Sequence, residues 1–388
     1  MNLTRRGFAA GLVMLAPGTA PAASLPATSP FITAVLRRMA ALPDGPVLLN
    51  SYLVEHGAGA GDFDLTQANA AYVYDNALAG LMLLAAGQRA AAARIGQALA
   101  LAQAHDRKFS DGRLRNAYAA GAMTIPAKLP GFWDTQAGRW AEDPYQLGTD
   151  TGPMAWAILL WTALGMPAPA NTAADFLTTR LRAPRGYYGG FYGFDPAQQM
   201  LRWQSTEQNT DLVAAFRALG RPQDAAQAAA FVQAMHQPGT QRFNAGLAPD
   251  GAVNPMLAAD AGIWPYLAGL GDAASALAAI TALRRGDGIG FSAASTGIWL
   301  EGTAFASLAL RKMGNRLAET FTATLHRNIS PQGYVYATVA PMLATGLTIG
   351  PALQPGQPEQ SFNYYRRPAL SPTCWAGLAA LGANPLSA

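Results

Sequence analysis

The sequence predicts an all-α protein, an (α/α)6 toroid with six inner helices inside six outer ones and short β-hairpins and loops gathered at one end. Three observations predict it. An Ala/Leu-rich run ending on glycine recurs six times, at Gly87, Gly165, Gly220, Gly271, Gly314 and Gly382, mostly with a second helical run behind it. A carboxylate stands 11 to 15 residues before each of the first five glycines, as Asp75, Asp150, Glu207, Asp260 and Glu301. At 3.6 residues per turn that interval puts each acid near a helix start and each glycine just past its end, where a left-handed cap belongs. The first run of each pair is apolar almost all round, as in MAWAILLWTALG, and so is buried on every side. The second carries Gln, Arg and Asp on one face, as an outer layer does.

Taken in order, the first unit is Tyr72 to Gly87, then Arg89 to His105. The second is Asp150 to Gly165, with a partner from Asn171 to Leu181 after Pro167; the third is Glu207 to Gly220, then Pro222 to His236. Leu257 to Gly271 with Asp272 to Arg285 makes the fourth, and Trp299 to Gly314 with Asn315 to Arg327 the fifth. The sixth has only Pro372 to Gly382. Its missing partner is the isolated amphipathic run Phe31 to Leu42 near the start of the chain. Short turns after the glycines make each pair antiparallel, so all five acids should face one end of the ring.

Composition narrows the function. The 388 residues are 51% hydrophobic and 13% charged, with 27 Lys+Arg against 23 Asp+Glu. Two of the arginines, Arg5 and Arg6, lie in Thr4-Arg5-Arg6-Gly7-Phe8, which precedes the mild apolar stretch Ala9 to Ala16 and the small-x-small signal Ala20-Pro21-Ala22. Residues 1–23 resemble a twin-arginine export leader. That resemblance implies a single toroidal domain over residues 24–388 that works in the periplasm or outside the cell. Without the leader arginines the balance is 25 to 23. No basic run appears, which argues against nucleic acid as a partner. No apolar segment reaches the ~20 residues of a bilayer span. Cys374, the only cysteine, sits in an apolar stretch and reads as core filler. His56, His105, His236 and His326 are widely spaced, so no metal or other cofactor is expected. A monomer is expected.

The longer connections back to each inner helix combine glycine turns with aromatics (SDGRLRNAY, YYGGFYGFD, APDGAVNP, GDGIGFSAA, PQGYVYAT). They gather at the acid end, where Trp133, Tyr188, Tyr192, Trp203, Trp299 and Tyr336 would line a cleft. Aromatic faces pack against pyranose CH groups while carboxylates and amides take the hydroxyls.

The repeat plan and three segments, Tyr72-Val73-Tyr74-Asp75-Asn76-Ala77, Trp203-Gln204-Ser205-Thr206-Glu207-Gln208-Asn209-Thr210-Asp211 and Gly297-Ile298-Trp299-Leu300-Glu301-Gly302-Thr303, resemble the six-hairpin glycosidase superfamily. The resemblance spans the mature chain at the level of architecture and implies cleavage of a glycan, often by inversion, with two carboxyl groups. Such chemistry needs one carboxyl to protonate the leaving oxygen and another to activate water. Glu207, four residues after Trp203, is the expected proton donor and Asp75 the base, with Asp150 and Glu301 in reserve. Asn76, Gln208, Asn209, Asp211 and Asp260 are expected to hold the carbohydrate substrate. An Asp at a helix start also serves as an ordinary cap.

Two alternatives stay open. A polysaccharide lyase would need a tyrosine or histidine base and an arginine for a uronate, for which Tyr334, Tyr336, Tyr364 and Tyr365 with Arg366 and Arg367, or Tyr187 and Tyr188 with Arg185, are candidates. A non-catalytic glycan-binding protein of exopolysaccharide assembly is the other, since the sixth unit reads Ser371-Pro372-Thr373-Cys374 without an acid. The insertion at 119–149, carrying Asp134, Glu142 and Asp143, is either a wall of the site or a cover over the ring.

Overall fold

A computed structural model describes residues 29–55 and 61–387. The leader expected at 1–23 lies outside the described residues, and so does His56. Among the described residues there are fourteen helices: α1 (Pro30–Ala40), α2 (Asp62–Gln67), α3 (Val73–Ala85), α4 (Arg89–Ala104), α5 (Pro144–Leu147), α6 (Thr151–Leu164), α7 (Pro167–Arg180), α8 (Thr206–Ala218), α9 (Pro222–Ala234), α10 (Ala259–Leu267), α11 (Ala273–Leu283), α12 (Leu300–Lys312), α13 (Leu317–Arg327) and α14 (Leu370–Leu381). Helices α3, α6, α8, α10, α12 and α14 pack side by side in that order, and α14 returns to α3, which closes the inner ring. Each also packs on its outer partner: α4, α7, α9, α11 and α13 follow their inner helix in the chain, and α1 covers α14. The N-terminal helix thus completes the sixth pair. Among the described residues no helix is long and apolar enough to cross a membrane.

The far end of every inner helix closes in the same way. At Gly87, Gly165, Gly220, Gly269, Gly314 and Gly382 φ lies between +67° and +76°. The next residue's N–H returns to a carbonyl five residues back, as in Gln88 N to Leu83 O at 2.7 Å and Arg221 N to Phe216 O at 2.8 Å. This is the Schellman arrangement, which satisfies the orphaned carbonyls of a helix end. The fourth glycine differs from expectation. Pro265 lies inside α10, which ends early, so Gly269 takes the left-handed position and Gly271 does not.

The near end is organised by six short backbone pairings. The residues leading into each inner helix pair with the segment that follows its outer partner. The pairs are 70–72 with 117–119, 149–150 with 190–191 and 204–205 with 246–247, together with single bridges at Ala258–Ser292, Trp299–Thr338 and Tyr52–Ala369. The expected hairpins are therefore partly between units rather than within single loops. One longer hairpin, 342–348 with 361–365, had no signal in the repeat.

Candidate active site

The second residue of each inner helix forms a layer at the near end: Tyr74, Gly152, Glu207, Asp260, Glu301 and Ser371. Asp75 follows Tyr74, and Asp150 caps α6. Four residues on, one helical turn deeper on the same face, lie Leu78, Trp156, Asp211, Trp264, Phe305 and Trp375. The aromatic members of this second layer touch across the axis. Trp156–Trp264 is 5.5 Å between centroids, Trp156–Trp375 5.7 Å, Trp264–Phe305 5.5 Å and Phe305–Trp375 5.6 Å. The ring is therefore plugged, and the carboxyl groups line a blind recess above an aromatic floor.

The five predicted acids share this recess. Glu207 is pushed well up by burial first, then by the charges of Asp260, Glu301 and Asp150. Glu301 is pushed up to about 8 by burial, with Asp75 and Asp260 adding to it. Burial also pushes Asp75 and Asp150 up to about 7 and Asp260 up to about 6. Hydrogen bonds pull the other way. Ser51 opposes the shift at Asp75 and Asn116 that at Asp150, while the Ala261 N–H donates to Asp260 Oδ1 at 2.6 Å. Asp260 so keeps the lowest value of the set, with its charge favoured by the helix N-terminus. Among the described residues no hydrogen bond and no cation acts on the Glu207 carboxyl.

Glu301 is held differently. Its Oε1 accepts from the Tyr74 hydroxyl at 2.6 Å and its Oε2 from Ser371 Oγ at 2.9 Å, while the Trp375 indole N–H donates to Tyr74 at 2.8 Å. The sixth unit, which lacks an acid, contributes the serine that fixes its neighbour's carboxylate.

The remaining predicted residues separate into groups. Asn76 and Asn209 do not face the recess. Asn76 accepts from Leu49 N and donates to Leu49 O and Tyr72 O; Asn209 accepts from Tyr187 N and donates to Tyr187 O and Ser205 O. Both are fully buried braces between a helix start and a neighbouring loop, which corrects their expected role as sugar ligands. Thr303 and Thr373 do the same for α12 and α14. Asp211 lies in the floor layer below the recess, and buried Gln208 packs beside Gly152. Trp299 is buried behind Tyr364 at 5.4 Å, against Phe291 and Phe305, and offers no open platform. Trp203 lies over Gly189, and Tyr192 is buried beneath Gly350. Tyr336 carries the Arg366 guanidinium 4.1 Å above its ring. Tyr188 belongs to a separate cleft of about 530 Å³ with Arg185 and Arg202, which none of the five acids lines. Trp133 is 59% exposed on the 132–134/139–141 hairpin.

Tyrosines supply what the sequence reading lacked. Tyr52, Tyr72, Tyr145 and Tyr364 stand near enough to the acids that carboxylate charges raise them further, beyond the effect of burial. Tyr145 comes from α5, so the 119–149 insertion is a wall of the recess. Its own acids are engaged elsewhere: Asp143 caps α5, Glu142 pairs with Arg107 and Asp134 closes a turn. Arg367 is bound to the buried Asp64 at 2.7 Å, and Arg366 to Asn328 and two backbone carbonyls. Neither is free to meet a uronate, so the lyase alternative loses this pair of arginines, while Arg185 lines the separate cleft with Tyr188. Among the described residues no three His, Cys, Asp or Glu side chains are arranged to hold a metal ion.

Solved structures of similar shape were found. A glycosidase variant in complex with glucose matches over 91% of this chain and 97% of its own, at TM-score 0.58 and 13% identity. This chain shares the (α/α)6 toroid fold of these structures. Cellobiose 2-epimerase from Bacillus thermoamylovorans covers 90% of this chain and 97% of its own at TM-score 0.56 and 9% identity, and a D-mannose isomerase 92% and 98% at 0.56 and 12%. No protein-family model matches the sequence, and no curated protein does.

Proposed function

We propose that the protein is a glycoside hydrolase that cleaves a poly- or oligosaccharide by inversion, with Glu207 as the proton donor and Asp260 as the base. The observation that carries this reading is the contrast between the two. Glu207 is a half-buried carboxyl among like charges with no hydrogen bond from the described residues to stabilise its anion, which favours its protonated form. Asp260, on the adjacent inner helix, is the first-named charge acting on it and is itself stabilised by a backbone N–H. Glu207 would give its proton to the glycosidic oxygen as the C–O bond breaks, while Asp260 takes a proton from the water that attacks the opposite face. Asp75, first expected as the base, is not among the charges that act on Glu207; it and Asp150 are assigned to substrate hydroxyls. Glu301, fixed by Tyr74 and Ser371, would face the positive charge that develops at the anomeric carbon.

A second reading is a sugar epimerase or isomerase acting in the same recess. It is favoured by the two neighbours of those activities and by how little of the acids is open, 4–6% for Asp75, Asp150, Asp260 and Glu301. Incubation of the mature protein with a panel of neutral and amino oligosaccharides separates the two. Hydrolysis gives new reducing ends whose first-formed anomer is inverted. A changed sugar of unchanged mass supports the second reading. Export by the leader at 1–23 belongs to the same proposal, and is tested by locating the protein after Arg5 and Arg6 are replaced by lysine.

A further inference from the structure

We propose that the cleft of about 530 Å³ outside the acid recess is a second sugar site that takes a uronate, so that the glycan brought to the recess is an acidic polysaccharide. The inference rests on the reading of the near end as a glycan site and names the substrate's class. Its first ground is charge. Arg185 and Arg202 line the cleft against one acid, Asp250, whose Oδ1 is taken up by the Ala252 N–H at 3.0 Å. Among the described residues neither guanidinium has an ion pair or a hydrogen bond, whereas the nearby Arg182 and Arg221 both hold Asp224. The floor is apolar. Phe231 and Met235 are buried in it, with Leu247 and the half-buried Tyr188 ring beside them. Guanidinium forks match a carboxylate, and apolar and aromatic faces match a pyranose.

The second ground is that the backbone aims these groups. The Gly189 N–H is shared between Leu201 O at 3.1 Å and Trp203 O at 2.8 Å, so the strand pairing skips Arg202. An irregularity of this kind re-aims a side chain. Arg185 sits in a turn pinned from two sides: Gln227 Nε2 donates to Ala183 O at 2.9 Å and Gln204 Nε2 to Arg185 O at 2.5 Å. Gly186 closes that turn at φ +71°, where a Cβ would come within 2.6 Å of both Asn209 Oδ1 and Phe231 Cβ. Only glycine fits there. The Tyr188 carbonyl accepts from Thr151 Oγ1 at 2.6 Å, Thr151 follows Asp150, and Gln204 comes three residues before Glu207. The cleft is thus built from the segments that lead to the starts of α6 and α8, where those acids stand. The acids of the recess disfavour a uronate within it. An acidic chain is accommodated with its carboxylate outside, where the two arginines are.

The test is titration calorimetry of the mature protein with the tetramers of glucuronate, mannuronate and galacturonate against those of glucose, mannose and galactose, at low and high salt. The expected result is that at least one uronate tetramer binds about tenfold tighter than every neutral one at low salt, and that the margin narrows at high salt. Arg185→Ala, and independently Arg202→Ala, should each cut that margin about threefold or more and leave the binding of neutral tetramers alone. Arg316→Ala, at an exposed position of the far end, should not change it, and the circular dichroism spectrum should be the same in all three variants. Equal binding, preference for a neutral tetramer, no binding of any, or a margin that survives both cleft substitutions would overturn the inference. Displacement of the bound tetramer by inorganic phosphate as readily as by glucuronate would overturn it too, since the site would then read an oxyanion and not a sugar acid. If neutral glycans are cleaved and the uronate margin is absent, the hydrolase reading stands alone. A uronate margin lost with the two arginines, but without new reducing ends from any glycan, sinks hydrolysis and keeps the cleft.

Discussion

The two ends of the double ring follow different rules. At the far end six helices stop in the same way, on a left-handed glycine with the same returning N–H bond. At the near end the equivalent positions hold a tyrosine, a glycine, a serine and three acids, and each is held by a different set of partners. The far end repeats because backbone geometry alone dictates it. The near end diverges because each position has its own chemistry, and the cost of crowding carboxyls there is borne by the rigid aromatic floor beneath. A repeat fold can thus hold an asymmetric site without disturbing its closure.

The largest expected effect tests whether the asymmetry is functional. Glu207→Gln should lower glycan cleavage about 10³-fold, within the range for general acid catalysis, with a melting temperature within a few degrees of the parent. Equal activity would return Glu207 to the role of a helix-start residue.

Next comes the pH dependence of stability. Asp75, Asp150, Asp260 and Glu301 have folded-state values raised above their unfolded ones, so the folded state binds more protons than the unfolded one between them. Stability is therefore fully present below about pH 4 and lost as pH rises through about 6 to 8. Urea unfolding across that interval should show a fall, and Asp150→Asn should reduce it by about 2 kcal/mol, half of what its full shift implies at 1.4 kcal/mol per unit. A rise in stability over the same interval would mean that the acids are ionised and paired.

At the far end, Gly220→Ala and Gly314→Ala should each cost about 1 kcal/mol and leave activity alone. A Cβ at either meets nothing within 4 Å, so the loss is backbone strain only. A rate effect there would show that the two ends are coupled. The smallest effect belongs to Trp133→Ala, within about 0.5 kcal/mol for stability; a several-fold rise in KM for long glycans only would bring this exposed ring into the substrate path.

The same division governs how much could be read before the structure. The ring, its closure by the N-terminal helix and the level of the five acids were legible because glycine caps and apolar runs are local signals. Only Pro265, which ends α10 early, displaced a cap. The site was half legible. Glu207 and Asn209 are neighbours in sequence but stand 200° apart on a helix of 100° per residue, so Asn209 turns outward to brace a loop. Asp211, at the fourth position on, returns to the axis. Tyr74 and Asn76 stand in the same relation. Helical phase would have found these three. Tyr52 comes from an isolated bridge, Tyr145 from the one-turn α5 and Tyr364 from the 361–365 strand, none with a helical period to mark it, and only tertiary folding brings them to the acids.

The most direct measurement is the infrared absorption of protonated carboxyl groups at pH 7, compared between the parent protein and Glu207→Gln. The account predicts a protonated-carboxyl band in the parent that is diminished in the variant, because Glu207 holds its proton at the pH where it must donate it. A parent spectrum without that band, or one unchanged by the substitution, would contradict it.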